Sequence, residues 1–259
     1  MFENIRHAER SDTGLLKSKN EDSCLAVDRH SKGYDWERLG LFFAVADGLG
    51  GHAAGDVASR MACRAAASAY YNGGGTSGRE GEESESALSR LEKALWSVHH
   101  TLIGAAAACI DLRGMGTTLS ALVFHGGRVF MAHVGNCRIY RFRNRSCERL
   151  TVDHTGSQLL IDSGKIQAGQ EENHCCRHVI TQALGGCGDL ALVQTRMEPV
   201  LSGDRFVLCT AGLHNLVADH EIDRIMARHP SPRAASDALV DAAVTKGGYD
   251  DVTVMVIET

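Results

Sequence analysis

Apolar residues recur in short runs of strand length: DSCLAV (22–27), LFFAVA (41–46), TLSALVF (118–124), RVFMAHV (128–134), CRIYRF (137–142), ALVQTRM (191–197), RFVLCT (205–210) and VTVMVI (252–257). Gly, Asn, Asp or Ser bounds each run, the punctuation expected of strands. Gly126–Gly127 predicts a hairpin turn between two of them, and Asn136 after Gly135 marks a second tight connection. Elsewhere the period changes. Leu88, Leu91, Leu95, Val98 and Leu102 fall at steps of three and four and predict a helix over 86–110. The Ala-rich stretch 53–70 predicts another. Ser231 and Pro232 read as N-cap and first-turn proline of a helix over 231–246 that stops at Gly247. Asp219 is the expected N-cap of 220–229. The strands come in consecutive groups and the helices in pairs, with weak βαβ alternation. The fold class expected is therefore α+β, with antiparallel sheet packed against helices.

Two segments lack either period. YNGGGTSGREGEESES (71–86) is too polar and Gly-rich to bury a core and reads as a flexible loop, too short to divide two stable domains. The stretch 153–178 is polar around a short helix (156–163) and is expected to cover a surface site. With 259 residues and a hydrophobic fraction of 44%, the chain can build a real core, and one domain over 1–259 is expected. No apolar run approaches the roughly 20 residues of a membrane helix. Charges throughout the first thirty residues leave no signal-peptide core. A formal charge of −5 with both signs dispersed gives no basic stripe for nucleic acid, and the basic residues of 141–149, all Arg, read as a solvated hairpin. A soluble, cytoplasmic protein without nucleic-acid or membrane partners is expected. The nine cysteines are odd in number, scattered and without a CxxC, which fits reduced thiols used as small apolar residues. Cys175–Cys176, flanked by His174 and His178, is the one thiol cluster that could hold a metal, although its spacing fits no common zinc pattern.

The chemistry begins at AVADGLGGHAAGD (44–56), where a buried-looking strand ends on Asp47 and then on Gly48, Gly50, Gly51 and Gly55. Such an acid either caps the following helix or faces a ligand that comes close to backbone. Other acids weigh on the choice. Asn20-Glu21-Asp22 precedes the strand 22–27, and Asp250-Asp251 precedes 252–257. Three acidic clusters at strand ends suit a hard cation such as Mg²⁺ or Mn²⁺, which takes carboxylate, carbonyl and water oxygens. Two such ions would clamp a phosphate and activate a water.

Seven segments, TGLLKSKNED (13–22), FAVADGLGGHAAGDVAS (43–59), GMGTTLSALVFHGGRVFMAHVGNCRIYRF (114–142), LTVDHT (150–155), ITQALGG (180–186), DRFVLCTAGL (204–213) and GGYDDVTVMVI (247–257), occur in the order found in the PPM (PP2C) family of metal-dependent protein phosphatases. From about residue 10 onward the chain resembles that family's compact bacterial subgroup. The resemblance implies a β-sandwich of two antiparallel sheets flanked by pairs of helices, four layers deep. It implies that Asp47 bridges two Mg²⁺ or Mn²⁺ ions, that Gly48 (by its carbonyl) and Glu21 (through water) complete the shell of one, and that Asp250 ligates the other. Asp22 would orient a bound water, and Lys17 stands where the family usually carries a phosphate-binding Arg. The segment 153–178 would be the flap beside the active site. A metal-activated water would attack phosphorus in line without a covalent phosphoenzyme. The substrates implied are phosphoserine and phosphothreonine on proteins, with a Ser/Thr kinase or its targets as partners.

The chain also departs from the family pattern. Ala211 stands where a metal-ligand Asp is normal, Asn136 where an Asp helps hold a third ion, and Asn215 where an Asp is frequent. Lys17 lacks the planar fork of Arg. A two-metal centre without the third site is one reading. The other is a pseudophosphatase, a phosphoprotein-binding or regulatory module that has lost turnover. A nucleotide-binding turn at 44–56 lacks GxGxxG in register with a helix start, and no GxxxxGK[ST] exists. His52 reads as a polar residue at a helix start, His133 as a satisfied core histidine, and Thr117–Thr118 as strand residues beside the metal centre. Arg138 reads as half of a structural ion pair, and His154 and His174 as flap residues.

Overall fold

Every residue from Leu41 to Ala46 is buried, which a strand achieves only when both of its faces are covered. The computed structural model shows how. It describes residues 5–49, 54–73, 86–171, 174–186 and 188–259. His52, with Gly50 and Gly51, and most of the stretch 71–86 lie outside the described residues. Leu41–Gly48 forms β3, which pairs with β2 (Asp22–Val27) and β4 (Gly116–His125). The sheet continues through β5 (Arg128–Val134) to β9 (Gln194–Pro199), with the two-residue β8 (Leu184–Gly185) on β4. The second sheet runs β1 (Arg6–Asp12), β11 (Val252–Glu258), β10 (Arg205–Cys209), β6 (Arg138–Arg143), β7 (Ser146–Arg149). All these pairings are antiparallel.

Residue parity assigns the layers. Leu41, Phe43 and Val45 of β3 face the other sheet and pack with Leu122, Phe124, Phe206, Leu208, Met255 and Ile257. Phe42, Ala44 and Ala46 face outward, against Ala58, Ala62 and Ala66 of α2 (Gly55–Asn72) and Leu91, Leu95 and Leu102 of α3 (Ala87–Ala108). On the far side, Tyr140, Val207, Val254 and Val256 are covered by α6 (Asp219–Arg228) and α7 (Pro232–Thr245). The result is an α+β sandwich of four layers, as the sequence pattern predicts. Single-turn helices α1 (Trp36–Leu39) and α5 (Ala211–His214) and the short α4 (Gly156–Asp162) fill connections.

Local signals behave as their chemistry requires, with exceptions. Gly126 and Gly127 both take positive φ (56° and 78°) in the β4–β5 hairpin. Ser231 caps α7 by accepting the Ala234 N–H. Asp219, however, is not an N-cap. Ala218 holds that place and its N–H is taken by Glu221, while Asp219 accepts from Tyr140 Oη at 2.9 Å. The strand expected over 191–197 starts only at Gln194. The Ala191 N–H goes to the Gln182 side chain instead, and Leu190 and Val193 are drawn into the core under α3. The hairpin arginines are not simply solvated. Arg141 pairs with Glu148 and Glu198, and Arg143 with the buried Asp204. Among the described residues, no helix is long and apolar enough to cross a membrane.

His133 is wholly buried in β5, with Nδ1 2.8 Å from Ser120 Oγ and its ring 4.9 Å from that of His154. Burial, aided by His154, pushes its pKa down to about 3. An unfolded histidine titrates near 6.5, so the unfolded chain takes up the proton first and stability falls as pH drops from there toward 3. His133→Asn keeps a polar atom toward Ser120 and removes the titration. In urea denaturation between pH 7 and 5, the parent should lose more stability than the variant, by up to about 1.4 kcal/mol per pH unit below 6.5. Parallel pH curves would contradict this.

Candidate metal centre

The ladder between β2 and β3 sets Asp22 directly opposite Asp47. Both strands end there, so two carboxylates face each other at one rim of the sheet. Asp22 is held by Thr210, whose Oγ1 donates to Oδ2 at 2.7 Å, while its Oδ1 is buried without a partner. Burial and the Asp47 charge push the Asp22 carboxyl well above the usual carboxylate range. Asp47 is pushed up to about 7, by burial first and then by Asp250, against the Ala211 backbone N–H that its carboxylate accepts. Burial and neighbouring negative charge both disfavour the ionised form of these acids.

The other acids arrive through backbone contacts. The Gly48 N–H donates to the Glu21 carbonyl at 3.1 Å, and the Glu21 N–H donates to Asp251 Oδ2 at 2.8 Å. Asp251 is buried, its Oδ1 has no partner, and burial raises its pKa. The loop carrying Lys17 is stitched to the β11 side by the Leu15 N–H on the Gly248 carbonyl at 2.7 Å. Lys17 Nζ then lies 2.8 Å from Asp250 Oδ1, 3.5 Å from Glu21 Oε2 and 3.7 Å from Asp251 Oδ2. Burial acts to lower its pKa, but the hydrogen bond and charge of Asp250, with Asp251 and Glu21, hold it above the ordinary lysine value.

Glycine is required at two of these contacts. A Cβ on Gly48 would stand 2.3 Å from the Gly55 carbonyl oxygen and 2.7 Å from that of Glu21. One on Gly55 would meet Glu21 Oε1 at 2.7 Å. The glycines after Asp47 thus let α2 begin against the Glu21 carboxylate, where the helix N-terminus favours negative charge.

The structure brings the strand-end acids Glu21, Asp22, Asp47 and Asp250 together with Lys17 and Gly48, the two positions named through the resemblance. Ala211 also reaches the centre, but offers Asp47 a backbone N–H and a methyl group rather than a carboxylate. Asn136 is buried nearby with an unpartnered Oδ1, and its carbonyl accepts from His214 Nε2 at 2.9 Å. Burial pushes His214 down to about 3, so it donates as a neutral ring. Thr117 Oγ1 donates to the Asp47 carbonyl at 2.8 Å. Arg138 forms its ion pair with Asp153 at 2.7 Å. His154 accepts the Gly135 N–H at 3.1 Å just beyond the end of β5. Sequence reasoning placed Asp251 among the strand-end acids without giving it a role, and missed Thr210 and His214. The Asp250-Asp251 doublet is a signal for the first, and nothing local marks the others.

An all-oxygen set with two orphaned buried carboxylate oxygens fits Mg²⁺ or Mn²⁺, and Lys17 is the cation that the chain itself places against these acids.

A family model described as protein phosphatase 2C matches residues 17–242. The serine/threonine protein phosphatase PstP of Mycobacterium tuberculosis is 34% identical over 260 residues, covering 98% of this chain and 45% of its own. This chain thus spans about half the length of that relative. The serine/threonine phosphatase stp of Listeria innocua is 33% identical over 253 residues, covering 97% of this chain and 95% of its own. A crystal structure of the PstP catalytic domain in complex with two manganese ions matches with a TM-score of 0.78 at 32% identity, over 98% of this chain and 97% of that one.

The glycine contacts separate fold from site. Gly48→Ala drives a methyl into backbone and should lower the unfolding free energy by roughly 2 kcal/mol or more in urea titration. Gly55→Ala meets the movable end of Glu21 first, with the Gly48 backbone no closer than 3.3 Å, and should stay within about 1 kcal/mol of the parent. Equal losses would mean that the two glycines are not distinguished by what faces them.

Proposed function

The chain belongs to the protein phosphatase 2C family, and from that membership we propose that it hydrolyses phosphoserine and phosphothreonine on proteins, with two divalent ions, Mg²⁺ or Mn²⁺, held by Glu21, Asp47, the Gly48 carbonyl and Asp250. The observation that carries this reading is the facing pair Asp22 and Asp47, buried with more negative charge than the surrounding protein offsets. When bound, the ions supply Lewis acidity that lowers the pKa of water and offsets charge on the phosphoryl oxygens.

The remaining steps belong to the chain. Asp47 is oriented by the Ala211 N–H from one side and the strand ladder from the other. Asp22, anchored by Thr210, leaves Oδ1 free to accept a proton from, and so orient, a water. Lys17 presents a movable ammonium at the edge of the acid cluster, where a phosphate dianion would draw it away from Asp250. A third ion is not part of this proposal, because Ala211 and Asn136 supply no carboxylate. One catalytic domain over 1–259, acting in the cytoplasm on the targets of a Ser/Thr kinase, completes the reading.

Ala211 and Lys17 favour a second reading. One site position contributes a methyl group, and a tethered cation already pairs with Asp250. Both features weaken the hold on a metal, as a pseudophosphatase would allow.

Hydrolysis of a phosphothreonine peptide under Mn²⁺ and then Mg²⁺ titration decides between them. In the first reading the parent turns over, Asp47→Asn reduces the rate by on the order of 10²–10³, and Ala211→Asp lowers the metal concentration needed for half-maximal rate by roughly tenfold. Mn²⁺ should also raise the melting temperature of the parent, and not of Asp47→Asn. A silent parent that gains activity through Ala211→Asp would establish the second reading. A parent whose rate is indifferent to Asp47→Asn would sink both.

A further inference from the structure

Outside the carboxylate centre, the described residues hold another cluster of metal-ligating groups. A ring nitrogen of His174, Cys175 Sγ and Cys176 Sγ all lie within 4.8 Å of one another. Two successive turns, closed by the Arg177 N–H on the His174 carbonyl and the Val179 N–H on the Cys176 carbonyl (both 3.1 Å), fold the three side chains to one place. We infer that this His-Cys-Cys turn binds a thiophilic divalent cation, Zn²⁺ by its donor set, and that the bound ion stiffens the flap wall of the cavity beside the carboxylate centre. The inference does not rest on phosphatase activity.

The spacing fits. Two thiolates on one tetrahedral Zn²⁺, each at about 2.3 Å, stand roughly 3.8 Å apart. Here Sγ–Sγ is 3.9 Å. A thiolate and an imidazole nitrogen on such an ion stand roughly 3.5 Å apart, and Cys175 Sγ lies 4.0 Å from His174 Nδ1. That nitrogen now accepts the Cys176 N–H at 3.1 Å, so the ion would take its lone pair in exchange for one hydrogen bond. Three protein donors leave a fourth position for water. Cys175 is exposed and Cys176 half-buried, which gives an ion a path in.

The thiolate is the ligand, and burial disfavours it at most of the other described thiols, the exposed Cys109 excepted, while the hydrogen bond with Cys175 raises Cys176 as well. Burial pushes Cys24 up to about 11 and Cys209 up to about 12, and Cys63, Cys137 and Cys147 are also raised by burial. The turn is wired to its surroundings as well. The Gly156 N–H donates to the Val179 carbonyl at 2.8 Å, and Thr155 bridges Ile180. Arg177 lines a cavity of about 210 Å³ with Asn136, Arg138, Asp153 and His214.

The test uses the full chain with saturating Mg²⁺. Cd²⁺, a spectroscopic stand-in for Zn²⁺, is titrated while the thiolate-to-metal charge-transfer band is followed. One Cd²⁺ per chain should bind, Zn²⁺ should compete it away, and His174→Ala should weaken binding by roughly tenfold or more. The band should vanish in Cys175→Ser/Cys176→Ser, whose turnover with Mg²⁺ alone should match the parent. A band that survives in that variant, or no band in the parent, overturns the site. Hydrogen exchange over 174–180 should slow with Zn²⁺ in the parent and stay unchanged in the double variant. Unchanged exchange in a parent that shows the band overturns the coupling to the flap.

Discussion

Asp22 faces Asp47 because β2 and β3 pair in one register, and the rest of the molecule is built around keeping those two acids together. Like charges directly opposite each other destabilise a ladder. Here the pair also sits under Thr210, with Asp250 and Asp251 arriving from the other sheet. The register cannot slip to relieve the repulsion. A shift by one residue would turn Phe43 and Val45 away from the inter-sheet core and Phe42 and Ala44 away from α2. The apolar faces of β3 thus fix an arrangement that its last residues would not choose. The raised carboxyl pKa values, caused by burial and by the neighbouring acids, ease this repulsion by favouring the neutral form while the register holds.

The two sheets contribute unequally to the centre. The β2–β3 side supplies Glu21, Asp22 and Asp47, and the β10–β11 side supplies Thr210, Ala211, Asp250 and Asp251. Close packing joins them. A Cβ on Gly212 would lie 2.0 Å from the Asp251 carbonyl, so only glycine lets α5 rest on the strand entry. Lys17 reaches the same point from the loop after β1, whose Leu15 N–H is bonded to Gly248. Sandwich packing and site geometry are therefore one problem, and a change that parts the sheets at this rim acts on both.

Much of this was legible in the sequence, for a physical reason. Core strands such as β3, β4 and β11 are covered on both faces and must be apolar throughout, so composition betrays them. The acids at their ends stand out against that background, which is how Glu21, Asp22, Asp47 and Asp250 could be named together. Edge elements carry no such mark. The strand RHAERSD (β1) is polar and owes its existence to the ladder with β11 and to Ser11 bonding Thr253. Strand β7 is four residues long and β8 two. The supporting contacts were hidden for a related reason. Thr210 lies 188 residues from Asp22, and His214 lies 78 from Asn136. Such hydrogen bonds depend on which strands become neighbours, and a local pattern does not hold that information. Asp219 shows the reverse case: its local signal for capping is sound, yet Tyr140 and Arg138 offer its carboxylate better partners.

Ala211 is the position where these arguments meet. Its methyl group brings no charge to the centre, but its backbone N–H still reaches the Asp47 carboxylate. A carboxylate at this position would add repulsion as well as a ligand, beside the facing Asp22 and Asp47 and beside the Glu21, Asp250 and Asp251 carboxylates gathered on Lys17. Metal affinity depends on ligand charge, whereas the stability of the metal-free chain depends on having less of it. Ala211 adds no charge to this cluster, and Lys17 places an ammonium against Asp250, Glu21 and Asp251, so both residues leave the gathered acids with less net negative charge.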